Sequence, residues 1–253
     1  MAVMEFLDQN LLNTTTMVTT TAASGSGTAL YAFDRNTSLG WTSVNYNSTT
    51  ATVFSIVFAQ PVVISHLLLQ SHNLRAFSAY YNSLTANSLF TAETTNSATS
   101  SYYSFNSVTV SSVDLQMDNT IAGSVEKTFG EIILSNRRLV FAKNPSVGNW
   151  KPTIFRKQIV HDMPDGGAKV YNIRDKFRAN LEFDFITQSF HDSLKTVHST
   201  AVPLYFLPFP TTTAWDGSAY ETVWIGDFNF KHGDNSKTQG YNGSINLRQT
   251  SGG

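Results

Sequence analysis

Six histidines and eighteen carboxylates supply what chemistry the chain can offer. Glu182 and Asp184 stand two apart in an alternating stretch, so a strand there puts both on one face, about 7 Å apart. Paired carboxylates at that distance can share acid–base work, although an exposed strand face is the plainer account. His191 and His198 are seven apart on a predicted helix, roughly 10 Å by helical rise, which is too far to share a metal easily. His161-Asp162 beside a turn reads as polar surface. His66 and His72 flank an apolar strand, and neither reads as a base. No Gly-rich phosphate loop, nucleophile elbow or zinc-protease helix occurs in the sequence. The expectation is a protein that is not an enzyme, with no catalytic residues.

The elements that would position such groups are mostly strands. Leu181, Phe183 and Phe185 alternate with Glu182 and Asp184, which predicts a strand. A helix over 189–199 should follow. Ser189 is its expected N-cap, Phe190, Leu194 and Val197 lie at helical spacing, Asp192 falls in the first turn, and Lys195 and His198 lie towards the end. Pro203 stops it, and Leu204 to Leu207 reads as a buried strand before Pro208 and Pro210. Towards the N-terminal side, Lys151 to Phe183 predicts two strands joined by a turn at Met163-Pro164-Asp165-Gly166-Gly167. Arg156, Lys157, Lys169, Arg174, Lys176 and Arg178 make this the most basic part of the chain. After Pro210, alternation from Tyr220 to Phe230 predicts a strand with one packed face, and Ser244 to Arg248 a last one.

Composition sets the outer limits. The 253 residues suffice for one large or two modest domains, and 41% apolar with 13% aromatic content is that of a folded chain. Charged residues make up 14%, against about 25% in an average soluble domain. Ser, Thr and Asn take their place, a surface suited to packing against other subunits or against sugars. Net charge is -1, so no nucleic-acid specificity is expected. Residues 1–130 carry three basic and seven acidic groups, and the remainder fourteen and eleven, an asymmetry that favours two domains. With no cysteine, disulfides and thiolate metal sites are excluded. The acidic MAVMEFLDQN start does not read as a signal peptide, and no run approaches the roughly 20 apolar residues of a membrane span, so a soluble product made in a cytoplasm is expected.

Residues 1–28 read as an N-terminal arm whose Thr/Ser/Gly run is a flexible loop. From Ala29 to Ser135 short strands with polar turns indicate an all-β sandwich or barrel, with a long loop within 82–101. Ala32-Phe33-Asp34-Arg35-Asn36-Thr37 and Trp41 are followed by Phe54 to Phe58, Pro61-Val62-Val63-Ile64, Leu74, Phe77 and Tyr80. This order resembles the discoidin (F5/8 type C), galactose-binding-like jelly rolls. The resemblance implies a possible structural calcium held by Asp34, Asn36, Thr37 and Glu131, oxygen ligands of the kind calcium takes. Arg35 departs from it, standing where the family favours glycine. It also implies a sugar site on variable loops. Tyr46, Tyr102, Tyr103 and Arg75 are candidates that no spacing singles out, so the ligand-binding residues stay unassigned.

Residues 136–150 read as the crossing into a second unit. The order basic strand, Pro-Asp-Gly turn, strand, short helix, PLYFLPFP and GDFNF resembles tail-tube-like and distal-tail domains of tailed bacteriophages. The expected architecture is therefore mostly β: an arm over 1–28, a galactose-binding-like jelly roll over 29–138, and a tail-tube-like β-sandwich with one flanking helix over 139–253. The expected function is structural, in the distal tail or baseplate region of a virion. A homo-oligomeric ring would contact neighbouring tail proteins, with Arg156, Lys157, Arg174, Lys176, Phe190 and Leu194 at the assembly interface. The alternative is a carbohydrate-binding module attaching a particle or an enzyme to cell-surface glycans.

Overall fold

The computed structural model describes residues 3–13, 17–22, 29–37, 39–43, 51–83, 86–123, 125–145, 150–163, 167–200, 203–210, 219–233 and 240–250. Its strands are β1 (Glu5–Leu7), β2 (Met17–Ala22), β3 (Trp41–Thr42), β4 (Thr52–Gln70), β5 (Leu74–Tyr81), β6 (Ser101–Thr120), β7 (Thr128–Phe129) and β8 (Glu131–Ser135). They continue with β9 (Arg138–Val140), β10 (Trp150–Asp162), β11 (Ala168–Ile186), β12 (Leu204–Leu207), β13 (Tyr220–Ile225), β14 (Phe230–His232) and β15 (Tyr241–Gln249), with helix α1 (Gln188–Ser199) between β11 and β12. The protein is thus mostly β with one α-helix among the described residues, and its first half is a jelly-roll-like sandwich.

That sandwich has a five-stranded antiparallel sheet, β2-β4-β6-β5 with β8 on β4, and a two-stranded β3-β7 pair. Alternating apolar residues of β4 and β6 turn inwards as their period of two requires: Phe54, Ile56 and Phe58 from one, Val113, Leu115 and Met117 from the other. Trp41 is wholly buried among them, 5.3 Å from Phe54 and 5.2 Å from Phe129 between ring centroids. Gly130 has to be glycine, since a Cβ there would lie 2.6 Å from the Thr37 carbonyl oxygen.

The second half builds a larger sheet in the order β10-β11-β15-β13-β12-β1-β9, with β14 on β15. One of those strands comes from outside the expected second domain. β1 lies between β12 and β9, pairing Phe6 with Phe206 and with Leu139. The sandwich is therefore inserted between β1 and β9 of the second unit. Residues 1–28 are likewise more than an arm: β1 belongs to the large sheet, and β2, within the Thr-rich run read as a flexible loop, pairs with β4. The 136–150 crossing also contains a strand, β9.

Helix α1 is capped by Thr187, whose side chain accepts from the Phe190 amide, so the N-terminus lies two residues before the expected Ser189 cap. Phe190, Leu194 and Val197 pack into the core with Phe6, Phe141, Phe183 and Phe206. The expected strand from Tyr220 to Phe230 breaks at Gly226, whose φ is +87°. The predicted hairpin forms, closed by the Met163 amide donating to the Gly167 carbonyl, while the Pro-Asp-Gly residues themselves lie outside the described residues.

A third apolar cluster joins the units. Leu7, Tyr205 and Leu207 of the large sheet meet Leu68, Tyr102 and Ile133 of the sandwich, with Ala219. Burying this set stabilises the pairing of the sheets by about 25 cal/mol for each Å² of apolar surface removed from water.

Candidate functional site

The sandwich opens a cavity of about 400 Å³ between Tyr81, Ser88, Leu89, Phe105, Asn106 and Val108. Tyr81 ends β5, and the chain then turns at Asn82 with φ +55°. The Asn82 side chain fixes that turn, accepting from the Ser111 amide at 2.6 Å and donating to the Thr109 carbonyl at 3.1 Å. The loop beyond is pinned back onto β5 by two amides, Tyr81 to the Asn87 carbonyl and Leu89 to the Ala79 carbonyl. Phe105 and Asn106 lie where β6 slips in register against β4, between the pairs His66–Ser104 and Ile64–Val108. The slip interrupts the alternation of β6, a local re-aiming typical of bulged strands. Behind the cavity Phe90 stacks on Tyr103 at 3.7 Å, and the Tyr103 hydroxyl donates to Glu93.

Tyr81, Phe105 and Val108 pack one side against the sandwich core and stay partly exposed on the other. Ser88 and Asn106 are exposed at the rim. Such a cavity has the size of a small-ligand site, with aromatic side chains in its walls and more polar than apolar surface open to solvent. It can stack the apolar face of a ring and hydrogen-bond substituents at its edge.

The expected sugar candidates lie elsewhere. Tyr102 is buried in the seam, its hydroxyl donating to Glu5 at 3.1 Å, and burial pushes its phenol above the usual range. Tyr103 is buried behind the cavity, Arg75 is exposed on β5, and Tyr46 lies outside the described residues. The pairing of Phe105 with Tyr81 escapes a reading of spacing, because it depends on the β6 slip. The one local sign is a polar Asn106 following an aromatic residue within a strand.

Asp34 Oδ1 accepts from the Asn36 amide at 2.9 Å in an exposed turn where Arg35 adopts φ +68°. Glu131 is buried on β8, and Tyr205 of the large sheet donates to its Oε1 at 3.3 Å. Burial first, then the neighbouring Glu221, raise the Glu131 carboxyl to about 8. The Arg35 guanidinium reaches across to Glu221 Oε1 at 3.7 Å. Among the described residues no group of three His, Asp or Glu side chains is placed to hold a metal. The Asp34 carboxylate also acts to raise Glu131, and the positive charge beside these acids comes from Arg35.

The assembly candidates divide. Phe190 and Leu194 are buried in the second core, because their helix face turns to the sheet, so neither can form a surface interface. Arg156 is exposed on β10. Lys157 and Arg174 stand opposite each other in the hairpin register, and Lys176 donates to the Thr250 carbonyl at 2.6 Å. The histidines do not converge: His191 stacks on Tyr241 at 4.1 Å, whereas His198 meets Trp224 and bonds the Gly226 carbonyl. His66 and His72 are buried and burial lowers both to about 4. Glu182 and Asp184 are exposed on one strand face.

No protein-family model matches the chain, and no curated protein matches it. Solved structures do. A chitosan-binding module in complex with chitotriose, from a chitosanase/glucanase of Paenibacillus sp. IK-5, is 16% identical, covers 47% of this chain and 95% of its own, and has a TM-score of 0.41. The family 32 carbohydrate-binding module of C. perfringens NanJ, in complex with galactose, is 14% identical over 47% and 97%, with a TM-score of 0.40. A pectin-binding module is 16% identical over 49% and 93%, with a TM-score of 0.38. At TM-scores below 0.5 these likenesses carry no argument further, and the ligand of this chain is left to its own geometry.

Proposed function

We propose that the protein is a non-catalytic attachment protein whose inserted sandwich binds a carbohydrate. The observation that carries this reading is the cavity at the β6 slip, where Tyr81 and Phe105 offer aromatic walls and Ser88 and Asn106 polar edges. Sugar rings present an apolar face and a rim of hydroxyls, which is the complement of that lining. The low charge of the chain is consistent with a neutral ligand. Titration calorimetry with chitotriose, galactose and pectin oligosaccharides tests it. Saturable binding of one of them is expected, weakened at least tenfold in Phe105→Ala and in Asn106→Ala. Absence of saturable binding to all of them, or binding unchanged in both variants, overturns the assignment.

The second reading is a ring-forming component of a phage tail, with neighbouring tail proteins as partners and a virion as its place. Its support is the hairpin. β10 is an edge strand, and residues 168–177 of β11 pair with β10 alone among the described residues. Ile154 is 72% exposed, Val160 57% and Val170 53%. A two-stranded ribbon is marginal by itself, and apolar side chains on an open edge suit a protein partner. Electron microscopy of the purified chain tests this reading: closed rings of one size support it, and particles without rings count against it.

A further inference from the structure

We infer that the outward face of β11 is a two-fold contact surface for a second copy of this chain. Along this strand Phe177, Ala179, Leu181 and Phe183 are buried. Lys176, Arg178, Asn180, Glu182 and Asp184 alternate with them on the other face, partly or fully exposed. The stripe runs about 26 Å from a basic end to an acidic end, with a neutral amide at its centre.

An isologous contact asks each surface to complement itself across the axis. This stripe does so. Rotated about Asn180, an antiparallel copy sets Lys176 against Asp184 and Arg178 against Glu182, each pair twice. The neighbouring strand sharpens the need. Arg248 of β15 stands directly opposite Arg178, and like charges in that position destabilise a sheet. Neither guanidinium has a carboxylate within ion-pair distance among the described residues. The Glu182 carboxylate of a second copy would sit against both. A hollow of about 660 Å³ lies at the basic end, lined by Arg178, Asn180, Ile225 and Arg248 among others. A second hollow of about 380 Å³ lies at the acidic end, by Glu182, Asp184 and Lys231. Exposed Phe155, stacked 4.0 Å beneath the Arg178 guanidinium, and Ile225 add apolar area at the basic end. Charge complementarity of this kind fixes register as much as affinity.

Sedimentation velocity over a range of concentrations tests the contact on the full chain. The wild type is expected to dimerise at low salt and to dissociate as salt is added. Glu182→Lys with Asp184→Lys makes the stripe uniformly basic, and Lys176→Glu with Arg178→Glu makes it uniformly acidic. Each double variant should dimerise at least tenfold more weakly alone, and the two should associate one to one when mixed. Exchanging all four charges at once should restore the dimer. Circular dichroism on every variant separates a lost contact from a lost fold. A wild type that stays monomeric at low salt, dimers that persist in both double variants, or a closed species larger than two overturns the proposal. None of these outcomes depends on whether the sandwich binds sugar.

Discussion

At one end of the seam between the two sheets, Glu5 is held by the Arg138 guanidinium through both carboxylate oxygens and accepts a third bond from Tyr102. At the other end Glu131 and Glu221 lie near each other, with Tyr205 donating to Glu131 at 3.3 Å and Arg35 reaching Glu221 at 3.7 Å. The first end is balanced: one carboxylate meets one fork of donors, a geometry that satisfies the ions as it buries them. At the second, burial first and the neighbouring Glu221 next raise the Glu131 carboxyl to about 8, so Glu131 keeps a proton that an exposed glutamate would release. The contrast lies in the donors that reach each buried acid: a guanidinium fork and a phenol bond Glu5, and a phenol bonds Glu131.

The largest effect expected from breaking this contrast is at the balanced end. Arg138→Ala leaves Glu5 buried without its partner, and a loss of about 3 kcal/mol is expected by urea denaturation. At the acidic end the pH dependence separates the groups. Glu131 has a folded-state value of about 8, raised from 4.5, so its contribution to stability is full below pH 4.5 and is lost as pH rises through 8. His66 and His72 are lowered from 6.5 to about 4, so their contribution is present above pH 6.5 and is lost as pH falls through 4. Thermal unfolding across pH should therefore show a maximum at about pH 6.5, where the loss from Glu131 overtakes the gain from the two histidines. Glu131→Gln should flatten the alkaline side and raise stability at pH 8, while leaving stability below pH 4.5 unchanged. The smallest effect is expected from Arg35→Ala, under about 1 kcal/mol at pH 6, because that contact is long and its cation half exposed. A deficit there comparable to that of Arg138→Ala would mean that the two ends are alike after all.

Much of the fold is legible in local pattern. Period-two alternation marks the Tyr220 to Ile225 strand and the inner faces of β4, β6 and β11, and the spacing of Phe190, Leu194 and Val197 marks the helix. The misplaced cap is a matter of two residues: Thr187 and Ser189 are both competent, and the entry of the chain from β11 decides between them. The insertion is invisible because Phe6 finds Leu139 and Phe206 only after more than a hundred residues have folded between. Phe190 and Leu194 mislead as interface residues because an amphipathic helix announces a packed face without saying what packs on it. The expected metal ligands carry the right oxygen chemistry. What local sequence does not contain is Glu221, 90 residues beyond Glu131, or the reach of Arg35 towards it.

The insertion also governs how force would pass through the molecule. β1 and β9 are adjacent antiparallel strands, so the chain enters and leaves the sandwich side by side. The two passages are tied to each other just outside the sheet, by Gln9 to Asn136 at 2.9 Å and by Arg137 to Asp8 at 3.4 Å. Asn10 then fastens the outgoing chain to β8, donating to the Ile132 carbonyl and accepting from the Leu134 amide. A pull on the sandwich is thus shared by two paired strands at one end of a hydrogen-bonded sheet, where a single linker would swing and then peel. The module is mounted as a bracket with two bolts, stiff against torque as well as tension.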